Sequence, residues 1–251
     1  MREDEKVPFT SHLEELRNRL ITSFIAIGVG AVISFAFKER LFNILVRPLI
    51  KVMKEGDTLI FTGLPEAFFT YLKVSLLAGI IVSSPVILYQ FWMFVAPGLY
   101  KKERRMIGPI VVLSSFFFIG GALFGYFIVF PWGFKFFLGF ATETLRPLPS
   151  MKEYFAFSAK LLLAFGLVFE LPLVLTFLAR LGIVSVDFLK RNRKYAVLIF
   201  FAGAAILTPP DVVTQIMMAV PLMALYEISI IGARIFGRKK PEVDEAEKMT
   251  T

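Results

Sequence analysis

One carboxylate interrupts an otherwise apolar run: Glu170, within LLLAFGLVFELPLVLTFLA. An acid at that depth in a membrane costs on the order of 2.5–3.5 kcal/mol, so it must face protein, water or a partner rather than lipid. Two chemistries fit: a polar docking point or ion site, or an internal hydrogen-bonded brace. Thr208 and Gln215 lie about the last sharp turn of the chain, and Glu227 lies further along the final apolar run. Such side chains hydrogen-bond between helices for about 0.6–2 kcal/mol each, whether within one chain or to another protein's helix. Asp211, directly after Thr208-Pro209-Pro210, is a residue type favoured at helix N-caps. A second set of acids has basic neighbours: Glu14 and Glu15 in SHLEELRNRL, and Glu103 in APGLYKKERR. Charge pattern alone pairs Glu14 and Glu15 with Arg17 and Arg19 at helical spacing, and Glu103 with its adjacent Lys and Arg.

What is absent narrows the chemistry. The chain has no cysteine and a single histidine, His12. That excludes disulfides, thiolate sites, a His-rich metal centre and a Ser-His-Asp triad. No GxxxxGK[ST], HExxH or GxSxG motif occurs, and SHLEEL lacks the second histidine of a zincin. No enzyme, cofactor or metal is expected. The net charge of +8 is spread over connectors, as for topology determinants rather than a nucleic-acid surface.

The elements that hold these residues are membrane spans. Of 251 residues, 57% are hydrophobic and only 19% charged, below the quarter usual in soluble domains. Mean hydropathy is +0.71, and the charges cluster between long uncharged runs. About 20 apolar residues cross a hydrocarbon core of about 30 Å. The runs predict an all-α integral membrane protein with six kinked transmembrane helices, at about 20–37, 70–96, 106–134, 155–180, 194–208 and 212–233. Residues 1–236 form one six-span domain and 237–251 a mobile tail. The first run begins after a polar stretch and has no small-residue cleavage site, so it is expected to remain in the mature protein. Spans five and six look short, making a tight hairpin or a re-entrant pair.

Lysine and arginine set the orientation. The segments 1–19, 97–105, 180–194 and 234–251 hold 18 of them, and the opposite connectors eight. Both termini are therefore expected in the cytoplasm. The connector 38–66 fits poorly, with five basic residues among its acids, and reads as a small extracytoplasmic cap. SHLEELRNRL reads as an interfacial amphipathic helix, with Ser11 and Glu14 at capping-box spacing. Pro85, Pro109, Pro131, Pro172 and Pro221 fall inside spans, and their kinks point to a bent, concave bundle.

Several blocks together resemble one family. SHLEELRNRL, SPVILYQFWMFVAPGLYKKERR, GYFIVFP, FGLVFELPLVL and LTPPDVVTQIMMAVPLMALYEI are similar, in order and spacing, to the TatC family, the multispanning core of the twin-arginine protein translocase. The resemblance runs from about residue 9 to 236. It implies six spans with cytoplasmic termini in a bacterial or archaeal cytoplasmic (inner) membrane. It also implies a receptor for twin-arginine signal peptides of folded cargo, assembled with TatA- and TatB-type single-span partners and driven by the protonmotive force. A homo-oligomer within a larger complex, surrounded by lipid, is implied as well. Signal-peptide binding would fall to Glu15, Arg17, Phe94 and Glu103, and partner contacts to Glu170, Thr208 and Gln215. Pro48 and Asp211 match positions important to function or assembly, and Pro85 and Glu227 join them as structural candidates. Some relatives carry an acid where this chain has Gly63, whose nearest acid here is Glu66.

The chemistry suits that role, since a carboxylate accepts the planar arginine fork bidentately and an ammonium cannot copy it. The alternative function is a proton- or ion-coupled small-molecule transporter centred on Glu170. A third is a purely structural scaffold.

Overall fold

The computed structural model describes residues 9–54, 57–95, 107–142, 147–207 and 212–237, with side chains from His12 onward. The candidate residues Glu103, Thr208 and Asp211 therefore lie outside the described residues. In chain order the helices are α1 (Phe9–Phe35), α2 (Lys38–Ile50), α3 (Glu66–Val95) and α4 (Ile107–Phe124). A π-helical turn, Gly125–Val129, leads into α5 (Phe130–Leu138). Then follow α6 (Met151–Val168), α7 (Leu171–Arg180), α8 (Val186–Arg191), α9 (Arg193–Leu207) and α10 (Val212–Phe236).

Among the described residues, five helical stretches are long and apolar enough to cross a membrane: His12–Phe35, Glu66–Val95, Ile107–Leu138, Met151–Arg180 and Val212–Phe236. The sixth, α9, has only 15 residues, which at about 1.5 Å each reach about 22 Å. Shortness is thus concentrated in α9, because α10 has 25 residues. The chain alternates between two ends of the bundle. The near end holds the start of α1, the end of α3, the start of α4, the α7–α9 connection and the end of α10. The far end holds α2, the end of α5, the start of α6, the end of α9 and the start of α10.

SHLEELRNRL is not a separate interfacial helix. It is the first part of α1, which runs unbroken from Phe9 to Phe35. No proline falls between those residues, so nothing stops the helix where the polar stretch ends. Ser11 consequently lies inside α1 rather than at its N-cap. Along its length α1 packs on α3, and the two backbones meet at Gly30 and Gly79. A Cβ on Gly79 would come within 2.6 Å of the Ala31 nitrogen. Ser83 on α3 donates to the Ala26 carbonyl at 2.8 Å, closing the same seam.

The prolines act in different ways. Pro85 sits within α3 on an exposed face, and the helix continues through it. Pro131 follows the π turn, where a widened backbone accommodates the missing N–H. Pro172 sits in the first turn of α7, after a break at Phe169 and Glu170. The fourth span is therefore two helices, with Glu170 at their joint. Gly182, at φ +76°, ends α7: its N–H reaches the Ala179 carbonyl and the Ile183 N–H that of Leu178. That 6→1 and 5→2 pairing is a Schellman motif, and the left-handed position suits glycine.

At the far end the connector 38–66 folds over the bundle. α2 buries Leu45, Val46, Pro48 and Leu49, and the Tyr154 hydroxyl donates to the Leu45 carbonyl at 2.6 Å. Ile60 pairs in parallel with Ser150, through Ile60 N–H to Pro149 and Met151 N–H to Ile60. Glu66 locks this corner. Its Oε2 accepts from the Thr62 and Gly63 amides at 2.8 and 3.2 Å and from the Thr62 hydroxyl. Its Oε1 accepts from the Ser150 hydroxyl at 3.0 Å and the Lys152 amide at 3.1 Å. One carboxylate thus caps the approach to α3 and the start of α6 together. Glu66→Ala is expected to free both strands of this corner, so that limited trypsin digestion cuts at Lys54 and Lys152 earlier than in the wild type. Unchanged cleavage kinetics would show that the Ile60–Ser150 pairing holds the corner without Glu66.

The main core lies between α2, α3, the π turn, α5, α6 and α10, around Phe130, Phe165 and Met218. Two smaller clusters sit toward the near end. One joins Ala179, Leu189, Tyr226, Ile230 and Ala233, and the other joins Trp92, Ile107 and Phe177.

Candidate functional site

Two polar clusters stand out, one at the near end and one within the bundle. In the first, Glu15 and Arg19 are one turn apart on α1. Arg19 donates from Nε to Glu15 Oε1 at 2.9 Å, and its terminal nitrogen donates to the same oxygen. The other terminal nitrogen donates to Gln90 Oε1 on α3 at 3.2 Å. One guanidinium therefore ties the two helices together. Gln90 and Phe94 are one turn apart on α3, so they share a face. The Phe94 ring stacks on His12 at 4.4 Å, with planes 15° apart. His12 Nδ1 lies 3.9 Å from the second oxygen of Glu15.

A groove of about 460 Å³ opens here, lined by Glu14, Glu15, Asn18, Arg19, Thr22 and Gln90. The structure thus brings Glu15 and Phe94 together across α1 and α3. It leaves Arg17 exposed and outside that lining, since two residues turn the helix by about 200°. A half-exposed carboxylate, an amide oxygen and a stacked aromatic face are suited to planar cations, and Arg19 already exploits two of them.

The second cluster is buried. Glu170, only 5% exposed, sits at the α6–α7 joint. Its Oε2 accepts from the Ser114 hydroxyl of α4 at 2.8 Å, and Ser114 in turn accepts from the Trp92 indole of α3 at 2.7 Å. Trp92 meets Phe177 edge-on, with ring centres 4.8 Å apart. Three spans are joined by this relay. The second oxygen, Oε1, is buried with no hydrogen-bond partner among the described residues. One oxygen is thus an internal brace, and the other is an enclosed acceptor without a partner among the described residues.

The remaining candidates are braces. Gln215 Nε2 donates to the Phe201 carbonyl at 2.9 Å, tying α10 to α9. Glu227 accepts from Arg193 at 2.6 Å, with both side chains half-exposed. Exposed pairs of this kind contribute at most about 1 kcal/mol. Pro48 is buried in α2 and Pro85 faces outward from α3. No cluster of metal-ligating side chains occurs among the described residues.

The family model described as Sec-independent protein translocase protein (TatC) matches residues 11–221. The chain belongs to the TatC family. A TatC of Desulforapulum autotrophicum is 70% identical over 244 residues, covering 97% of this chain and 90% of that protein. TatC of Escherichia coli K12 is 38% identical over 242 residues, covering 95% and 94%. A crystal structure of the twin-arginine translocase receptor TatC superposes with a TM-score of 0.81 at 44% identity, over 90% of this chain and all of that one.

As a TatC-family member, the chain is a multi-pass membrane component of the twin-arginine translocase and not an enzyme. That membership replaces the small-molecule transporter alternative. Sequence reasoning missed several partners in these TatC clusters. Gln90 had one available signal, its one-turn spacing from Phe94. Ser114 and Trp92 had none, because a serine and an indole in apolar runs announce no partner. The stacking of His12 on Phe94 likewise has no signal in the sequence, since it needs the α1–α3 crossing.

Proposed function

We propose that the near-end groove receives the arginine pair of twin-arginine signal peptides, with the near end and both termini facing the cytoplasm of an inner membrane. The observation that carries this reading is the Arg19 guanidinium held by Glu15 and Gln90 beside Phe94. An internal arginine already engages Glu15 with two donors, and a visiting arginine offers the same fork. Glu103 supplies the second acid, so that two carboxylates select two arginines. Arg17 lies on the outward face of the same helix and meets the peptide's polar flank. Phe94 packs on a guanidinium face or on the apolar part of the signal. A hydrogen bond to a charged group contributes roughly 1.5–3 kcal/mol.

Glu170 is the docking point for a single-span partner of the TatA or TatB type, its free Oε1 accepting a donor from the partner helix. Thr208 and Gln215 extend that surface along the α9–α10 hairpin. Residues 1–236 act as one domain with a mobile tail, in a larger complex driven by the protonmotive force. The experiment is site-specific crosslinking to a twin-arginine peptide in membranes. Glu103→Ala, Glu103→Arg and Glu15→Ala are expected to lose the crosslink while inserting normally. Wild-type crosslinking in all three would overturn the recognition role.

A further inference from the structure

The connector before α3 carries Lys38, Arg40, Arg47, Lys51 and Lys54, at the end of the bundle where the positive-inside pattern calls for few cations. None of the five forms an ion pair within 4.0 Å among the described residues. Lys38 is accounted for otherwise, with its ammonium 4.7 Å from the Phe35 ring centre. Three others are ordered along one face of the chain. Arg40, Ile44, Arg47 and Lys51 follow i, i+4, i+7, i+11, a single stripe of about 16 Å, and all four are exposed. On the opposite face α2 is anchored by Leu45, Val46, Pro48 and Leu49.

The stripe borders an apolar groove. Ile44 lines it, together with Leu77 and Ala78 of α3, Ala122 and Leu123 of α4 and Leu162 of α6, in a volume of about 260 Å³. Tyr126 brings the only polar side-chain atom in the lining, and that hydroxyl is spent on the Ile44 carbonyl at 2.6 Å. Ile44 belongs both to the stripe and to the lining, which places the row of cations at the groove's edge. A row of exposed cations beside an apolar groove has the polarity of one kind of molecule: an anionic head joined to apolar chains. We propose that α2 and this groove form a binding site for an anionic phospholipid of the far-end leaflet, with the headgroup phosphate on Arg40, Arg47 and Lys51 and an acyl chain against Ile44, Ala78 and Leu123.

Guanidinium groups chelate phosphate through paired donors, and the low-dielectric surroundings strengthen that contact. Cations near an anionic bilayer surface each raise affinity about fivefold. Neutralising three therefore lowers it about a hundredfold. Full-length protein would be purified from defined mixtures of phosphatidylglycerol and phosphatidylcholine, and the lipid retained would be measured by mass spectrometry. Wild-type protein is expected to retain phosphatidylglycerol preferentially, and Arg40→Gln/Arg47→Gln/Lys51→Gln to lose the preference. Ala78→Phe, which fills the groove and keeps the charges, is expected to lower retention of both lipids. Raising ionic strength on the unmutated protein gives a readout that needs no variant: the preference should fall with salt. Equal retention of the two lipids by the wild type, or a salt-independent preference, would overturn the site. So would a stripe that binds a soluble acidic peptide more tightly than phosphatidylglycerol vesicles, since it would then be a protein contact.

Discussion

Glu170→Ala is expected to lower the thermal midpoint of the detergent-solubilised protein by about 3–10 °C, whereas Glu170→Gln stays close to the wild type. The relay from the Trp92 indole through Ser114 to Glu170 ends on a single acceptor oxygen. Alanine removes that acceptor and leaves the Ser114 hydroxyl hydrogen buried without a partner. An orphaned buried donor costs about 1–3 kcal/mol, and in a chain of this size each kcal/mol moves the midpoint by about 2–4 °C. Average interhelical hydrogen bonds in membranes contribute less, about 0.6 kcal/mol, because the separated helices find other partners. The larger figure applies here because the Ser114 side chain is fully enclosed. Glutamine keeps an oxygen for Ser114, so the relay survives while the carboxylate is lost.

The two tryptophans make this separable from general loosening. Trp132 is 65% exposed and Trp92 is 3% exposed, so in a Trp132→Phe background the emission reports on the relay. Glu170→Ala should shift that emission and Glu170→Gln should not. Identical melting of all three proteins would mean that the relay contributes nothing to the packing of α3, α4 and α7. The same pair of variants bears on partner docking. If the free Oε1 serves a partner as a carboxylate, Glu170→Gln loses association while keeping stability.

Glu170 was legible because depth alone makes an acid conspicuous; its partners were not, because a hydrogen bond between spans leaves no periodicity. The spans were legible from uncharged runs, since insertion energetics act on each run by itself. Their ends were less so. A polar start does not terminate a helix that has no proline or capping break, and α1 continued from Phe9 accordingly. Proline positions were visible but not their consequences: a π turn before Pro131, a restart before Pro172, an uninterrupted helix through Pro85. Those outcomes depend on neighbours that only tertiary packing supplies. The pairing of Glu15 with Arg19 was available from i,i+4 spacing, but its extension to Gln90 required the α1–α3 crossing. Glu66 was noted for standing near Gly63. Its capture of donors from two connectors was unreadable, because Ser150 and Lys152 lie more than eighty residues away.

Adjacent glycines of α4 are expected to respond to the same substitution with opposite signs. Gly121 and Gly125 are spaced four apart and receive the Phe165 side of α6, a small-residue seam that allows close helix approach. A Cβ on Gly121 would strike the Phe165 carbonyl and stand 2.8 Å from the Phe169 side chain. Neither obstacle yields cheaply: one is the backbone of Phe165, which is fully buried in the main core, and the other is the Cβ of Phe169 rather than the far end of its side chain. Forcing such a core apart costs about 1–3 kcal/mol. It would also move the α6–α7 joint that carries Glu170. Gly120 meets nothing within 4 Å, so a methyl group there enters open space. Its only effect is to restrict the unfolded backbone, which favours a helix by about 0.5–1 kcal/mol. Gly121→Ala should therefore melt about 3–10 °C below the wild type, and Gly120→Ala at or slightly above it. The Trp92 emission of Gly121→Ala should shift as in Glu170→Ala, since the displaced α6 carries the acceptor away from Ser114. Equal midpoints for the two variants would mean that α4 and α6 are not held at the spacing described here, and that the Glu170 relay does not depend on it.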